Sequence, residues 1–162
     1  MPANFRHDNA LIVCPIDATC WILHEPFVFR CESNGHERVF TAPANFVTDF
    51  ASIPWGLRAI APRWGAYGWA AVIHDFLYWE QSIQQQDADE VFLEAMRTSG
   101  VPAWRRKLFY YAVHIFGCYA WKKNAALKAR DKYARIRKRP LPNAFAIKQW
   151  KQDYANAQRQ HA

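Results

Sequence analysis

A chain of 162 residues, 51% of them hydrophobic, is long enough for one domain with its own core and too short for two of ordinary size. Aromatic residues make up 16%, with eight Trp, which excludes a disordered chain, and no apolar run reaches the ~18–20 residues of a transmembrane helix. The formal net charge of +7 is unevenly spread, since residues 1–104 hold 6 Lys+Arg against 12 Asp+Glu and residues 105–162 hold 15 against 2. Such polarity points to an anionic partner, either a membrane surface or nucleic acid.

The opening, Met1-Pro2-Ala3-Asn4-Phe5-Arg6-His7-Asp8, lacks the basic-then-apolar layout of a secretory signal, so the chain is expected to stay where it is made. Cys14, Cys20, Cys31 and Cys118 form no CxxC pair and are expected to be reduced and mostly buried, although Cys14 and Cys20 straddle a turn and could meet. Residues 20–24 and 26–31 are rich in aromatic and β-branched residues and predict strands. Ser33-Asn34-Gly35-His36 is a turn signal, and residues 37–41 should return as the hairpin partner. Pro43-Ala44-Asn45 then punctuates before Phe46-Val47-Thr48-Asp49-Phe50.

After Pro54 the pattern changes to helix, with Ser52 placed to cap a short turn. Residues 65–81 predict a long helix whose nearly continuous apolar positions make it central and buried on most sides. Asp87 reads as the N-cap of a second helix reaching about Thr98, with Glu90 at the capping-box position, and Ser99-Gly100-Val101-Pro102 ends it. A third helix should run from Trp104 to about Arg137, with Gly117 or Asn124 as candidate breaks. Its first half is aromatic and its second half, residues 122–139, is a basic face expected to be solvated. Pro140 and Pro142 stop it before a frayed helix over 143–158. The predicted architecture is α+β, a β meander followed by a mostly antiparallel helical bundle. Residues 1–122 would form one globular domain (β part 11–50, helical part 54–122) and residues 123–162 a basic helical C-terminal extension.

The chemistry-bearing residues lie on the first two long helices. His74 and Tyr78 are one turn apart and share a face, whereas Asp75 is rotated by about 100°. An antiparallel second helix would bring Asp89 back against His74 or Tyr78. An imidazole oriented by a carboxylate, with a phenol on the same carboxylate, is what activating a water requires. Asp75 would then be available to a hard cation such as calcium, which polarises an ester carbonyl. The structural alternative is a buried hydrogen-bond network that pins two helices to the Thr48-Asp49 loop. Of the other histidines, His24 is isolated, His36 sits in a turn and His114 reads as a packed core residue. Ser52 lacks a Gly-x-Ser-x-Gly context and is not a nucleophile candidate.

At these positions the chain resembles two families. His74-Asp75-x-x-Tyr78, followed by the Ala88-Asp89-Glu90 helix start, is similar to the catalytic helices of phospholipase A2 enzymes, most nearly the disulfide-free version in parvovirus capsids. That resemblance implies His74 as base, Asp89 as its partner, Tyr78 as network phenol and Asp75 as a calcium ligand. One departure stands out: residues 60–68, where those enzymes carry a Gly-rich calcium loop, have only Gly65 and Gly68 and no Gly-x-Gly. Asp49 would have to contribute a carboxylate instead. More broadly, the chain resembles a bacteriophage and prophage family known as domain of unknown function 1353. The matching elements are Phe46-Val47-Thr48-Asp49-Phe50-Ala51-Ser52-Ile53-Pro54, residues 70–78, residues 88–96, Tyr111-Ala112-Val113 and Phe116-Gly117, together spanning residues 20–122.

The two resemblances imply a phage- or prophage-encoded protein in the host bacterial cytoplasm, or packaged in the virion. It would hydrolyse a lipid ester with a His-activated water and calcium. The alternative is a non-catalytic virion, assembly or host-modulating protein. Expected partners are an anionic membrane surface or phage structural proteins, or non-specific nucleic acid through the basic C-terminal region.

Overall fold

The computed structural model describes residues 6–7, 10–17, 20–33, 36–50, 67–132, 134–137 and 152. The Ser52–Pro54 turn, most of the 60–68 loop and the helix expected over 143–158 lie outside the described residues. The architecture is α+β. Among the described residues, six short strands, β1 (Arg6–His7), β2 (Val13–Pro15), β3 (Trp21–Leu23), β4 (Phe27–Ser33), β5 (His36–Ala42) and β6 (Val47–Thr48), precede three helices, α1 (Gly68–Glu80), α2 (Gln85–Thr98) and α3 (Ala103–Arg130). The strands form two antiparallel sheets of three, in the orders β1-β4-β5 and β2-β3-β6.

Strand alternation sets the inner faces. Phe27, Phe29 and Cys31 on β4 and Phe40 and Ala42 on β5 point inward, while Val39 is exposed. The β4–β5 hairpin is in register from Phe27↔Ala42 to Ser33↔His36, which stacks Phe29 on Phe40 at 5.1 Å between ring centres. Leu23, Phe27, Phe29 and Phe46 are fully buried with α1 in one core. Each such side chain contributes about 1.5–3 kcal/mol relative to exposure.

Helix α1 is the central element. Its residues from Ala70 to Trp79 are buried, because it packs on α2 and α3 on one side and on β5 and β6 on the other. It ends at Gln81, which takes a left-handed φ of 54° and returns its N–H to the Leu77 carbonyl at 2.9 Å. Lys128 on α3 donates to the Glu80 carbonyl at 2.8 Å and meets the Glu80 carboxylate at 3.1 Å, placing a cation where the helix end is electronegative.

Three local expectations are corrected. Helix α2 begins at Gln85, with Gln84 as N-cap, so Asp87 sits inside the first turn. Gln85 and Gln86 are good helix formers, and the Asp87 carboxylate acts on the dipole rather than as a cap. Helix α3 runs unbroken through Gly117 and Asn124 but stops at Arg130. The chain beyond it returns to the β edge instead: Val47 N–H donates to the Arg135 carbonyl at 2.8 Å, Arg137 N–H to the Asn45 carbonyl at 3.0 Å, and Phe46 bridges Ile136. Those edge hydrogen bonds replace further helical turns. Among the cysteines, Cys31 is buried but Cys14 and Cys118 are exposed.

Gly117 explains how α3 can lie against α1. A Cβ there would stand 2.2 Å from the Tyr78 hydroxyl and 3.1 Å from Gln85 Nε2. Gly117→Ala gains about 1 kcal/mol of helix propensity but should still lower stability, because the overlap costs about 1–3 kcal/mol and displaces a hydroxyl that is already bonded. In a Tyr78→Phe background the penalty of Gly117→Ala should shrink, a coupling that thermal denaturation of the four-member cycle measures directly.

Candidate functional site

The site forms where α1, α2 and α3 converge. Asp89 enters from the first turns of α2 and is fully buried. Its Oδ1 meets His74 Nε2 at 3.1 Å and accepts the Tyr78 hydroxyl at 2.6 Å. His74 and Tyr78, one turn apart on α1, meet as tilted rings with centres 4.1 Å apart, and the Phe92 ring lies 4.6 Å from the imidazole. Trp121 of α3 meets the Tyr78 ring edge-on at 5.1 Å.

A carboxylate only accepts hydrogen bonds, so the His74–Asp89 contact puts the imidazole proton on Nε2 and leaves Nδ1 with a lone pair. Among the described residues none bonds Nδ1. Burial lowers the His74 pKa, with the Asp89 hydrogen bond and charge opposing that shift, so the ring stays neutral near pH 7. Burial and the Asp89 carboxylate raise the Tyr78 phenol, with a Gln85 hydrogen bond opposing, which keeps it a donor.

Asp75, rotated by about 100° from His74 on α1, faces the loop after β6. Its Oδ2 accepts the Thr48 hydroxyl at 2.5 Å and the Asp49 backbone N–H at 3.2 Å, which ties α1 to the loop after β6. Thr48 also accepts the Phe50 N–H at 3.0 Å, and Phe50 holds a left-handed φ of 57°, a strained conformation for an aromatic residue. Burial, and then the like charge of Asp49, push the Asp75 carboxyl up to about 8, against the opposing effects of Arg135 and Thr48. The Arg135 guanidinium lies 3.5 Å from Asp49 Oδ1.

The structure therefore brings His74, Tyr78 and Asp89 into one cluster and Asp75 with Asp49 into a second. Two participants were not read from the sequence. His114, expected in the core, is 44% exposed at its side chain, stacks on Tyr110 at 5.6 Å and points Nδ1 at Asp89 Oδ2 from 3.6 Å. Arg135, expected on a solvated basic face, is buried beside Asp49. Neither carries a local signal, because each is placed by a tertiary crossing. No group of three or more His, Cys, Asp or Glu side chains is gathered as a metal site among the described residues.

Residues 21–113 match the family described as Protein of unknown function (DUF1353). The chain is also 39% identical over 77 residues to the "Uncharacterized protein y4jT" of Sinorhizobium fredii (strain NBRC 101917 / NGR234), an alignment covering 46% of this chain and 23% of that protein. The matched part is thus under a quarter of the relative's length. No solved structure matches the chain.

The raised Asp75 has a definite pH signature. A carboxyl whose folded pKa lies above its unfolded value of 3.8 keeps its proton in the native state while the unfolded chain loses it, so this contribution to stability is lost as pH rises from about 4 to about 8. Asp75→Asn mimics the protonated form. Its melting temperature relative to the parent should therefore climb by several degrees between pH 5 and pH 8. A difference that stays constant across that range would show that Asp75 ionises normally.

Proposed function

This chain belongs to the family described as Protein of unknown function (DUF1353), and from the geometry of its site we propose that it is a hydrolase in which His74 activates a water against a lipid ester. The observation that carries this reading is the shared Asp89 oxygen, which holds both His74 Nε2 and the Tyr78 hydroxyl and directs the basic Nδ1 lone pair away from them. In the proposed reaction Nδ1 takes a proton from water as its oxygen bonds to the ester carbonyl carbon. The tetrahedral adduct then collapses, the bond to the alcohol oxygen breaks, and the proton on Nδ1 passes to that oxygen. Asp89 stabilises the transient imidazolium, and Tyr78 fixes the carboxylate that does so. A base so positioned contributes typically ~10²–10⁴-fold.

In this proposal a hard cation sits between the carboxyls of Asp75 and Asp49, where its charge would oppose the burial and like-charge effects that keep Asp75 protonated. Those carboxyls would hold calcium, and its chemistry there is to polarise the ester carbonyl. A phage or prophage origin, with residence in the host cytoplasm or the virion, belongs to the same proposal. It rests on the order of the motifs at 46–54, 70–78 and 88–96.

One observation favours a second reading. His74 is 4% exposed, Asp75 5% and Asp89 0%, as suits a network that only locks helices together in a virion, assembly or host-modulating protein.

Fatty-acid release from phospholipid vesicles separates the two. Hydrolysis predicts calcium-dependent release that falls at least ~100-fold in His74→Asn while circular dichroism stays native, with a smaller loss in Tyr78→Phe. No release from the parent protein under any calcium concentration, together with unfolding of His74→Asn, would leave the structural network as the answer.

A further inference from the structure

We propose that the outer face of α3 is an adsorption surface for anionic lipid. Most of the large hydrophobic side chains exposed among the described residues belong to this one helix. Trp104, Tyr111, Ile115 and Tyr119 are 57–71% exposed and at 100° per residue fall within an arc of about 80°, with Phe116, 62% exposed, about 60° further round. Of the buried positions, Phe109, Gly117, Asn124 and Leu127 lie on the far side against α1 and α2, while Ala112 is buried at the edge of the stripe, about 20° from Tyr119. Helix α3 packs on α1 and α2 through its inner face, and the four side chains of the stripe remain exposed.

Charge identifies the occupant. Helix α3 carries Arg105, Arg106, Lys107, Lys122, Lys123, Lys128 and Arg130 across 28 residues and has no Asp or Glu. Lys107 and Lys122 are exposed and flank Tyr111, Ile115 and Tyr119 along the helix, about 22 Å apart, with Lys122 in line with the stripe and Lys107 about 40° to one side of it. Arg105 lies over the Trp104 ring at 5.1 Å and Lys123 over the Tyr119 ring at 5.9 Å, which keeps the cations next to the aromatics. An apolar centre with flanking lysines matches a lipid interface, where Trp and Tyr settle at headgroup level and lysines reach phosphates. A second copy of the same face would bring like charges together, and a nucleic-acid backbone, with a charge every few ångströms, would find an aliphatic and aromatic centre where it needs cations. The apolar stripe spans less than a membrane would require, and no helix is long and apolar enough to cross one among the described residues.

This surface deepens the proposed hydrolysis by naming where its substrate is met, and rests on that reading for its purpose; adsorption is measured without it. His114, on α3 beside Tyr111 and Ile115, links the face to Asp89.

The experiment is co-sedimentation of the full chain with vesicles of phosphatidylglycerol and phosphatidylcholine, and with phosphatidylcholine alone, across a salt series. The parent should bind the anionic vesicles at least tenfold more tightly, and less so as salt rises. Ile115→Ser/Tyr119→Ser and Lys107→Glu/Lys122→Glu should each lose at least tenfold while melting at the parent temperature. Binding that is equal on both vesicles, or unchanged in both double variants, overturns the proposal. So does tight binding of duplex DNA lost in the same variants without any vesicle binding, or a dimer that the serine variant abolishes. His74→Asn should adsorb like the parent, and both surface variants should hydrolyse a water-soluble short-chain ester at the parent rate. Intact adsorption with no esterase activity would end the hydrolase reading and leave the surface standing.

Discussion

The fully buried carboxylate of Asp89 is the constraint around which the helical part is arranged. Desolvating such a group is tolerable only where good donors compensate. Here one oxygen takes the Tyr78 hydroxyl at 2.6 Å and His74 Nε2 at 3.1 Å, both from α1, while the second faces His114 of α3. Three helices thus present polar groups to one point. Gly117 is part of the same arrangement, since any side chain there would strike the phenol that holds the carboxylate.

A second polar centre couples this helical unit to the sheets. Asp75 follows His74 in sequence, yet it turns toward Thr48 and Asp49, so adjacent residues on one helix report to opposite layers. The return of the chain after α3 completes that centre. Pairing of residues 135–137 with the β6 edge carries Arg135 in beside Asp49, and the guanidinium moderates the repulsion between the two carboxyls. The strained φ of Phe50 lies in the same loop, which is where stored backbone strain tends to accompany function.

The proposed chemistry and the proposed lipid surface draw on different faces of the same long helix. The inner side of α3 closes over Tyr78 and Asp89, and the outer side carries aromatics between lysines. Burial lowers the basicity of His74 and so keeps it neutral, the form a general base must have before it acts.

Sequence alone settled the elements whose signals are local. The period-2 burial of residues 27–31, the Asn34-Gly35 hairpin signal and the Gly100-Pro102 stop are written in side-chain chemistry, as is the continuous apolarity of α1. Helical spacing also suggested Asp89 against His74 or Tyr78, and the tertiary structure has it bonded to both. Tertiary structure decided what depends on crossings between distant segments. His114 faces a carboxylate and Arg135 leaves its expected solvated face because α3 crosses α2 and the chain then runs back to a strand edge. The true start of α2 at Gln85 was missed because a capping-box pattern at Asp87 and Glu90 also fits the first turn of a helix already under way. Local spacing fixes which neighbours can meet along one helix, but the placement of groups on different helices is set by packing of whole surfaces, which no short stretch encodes.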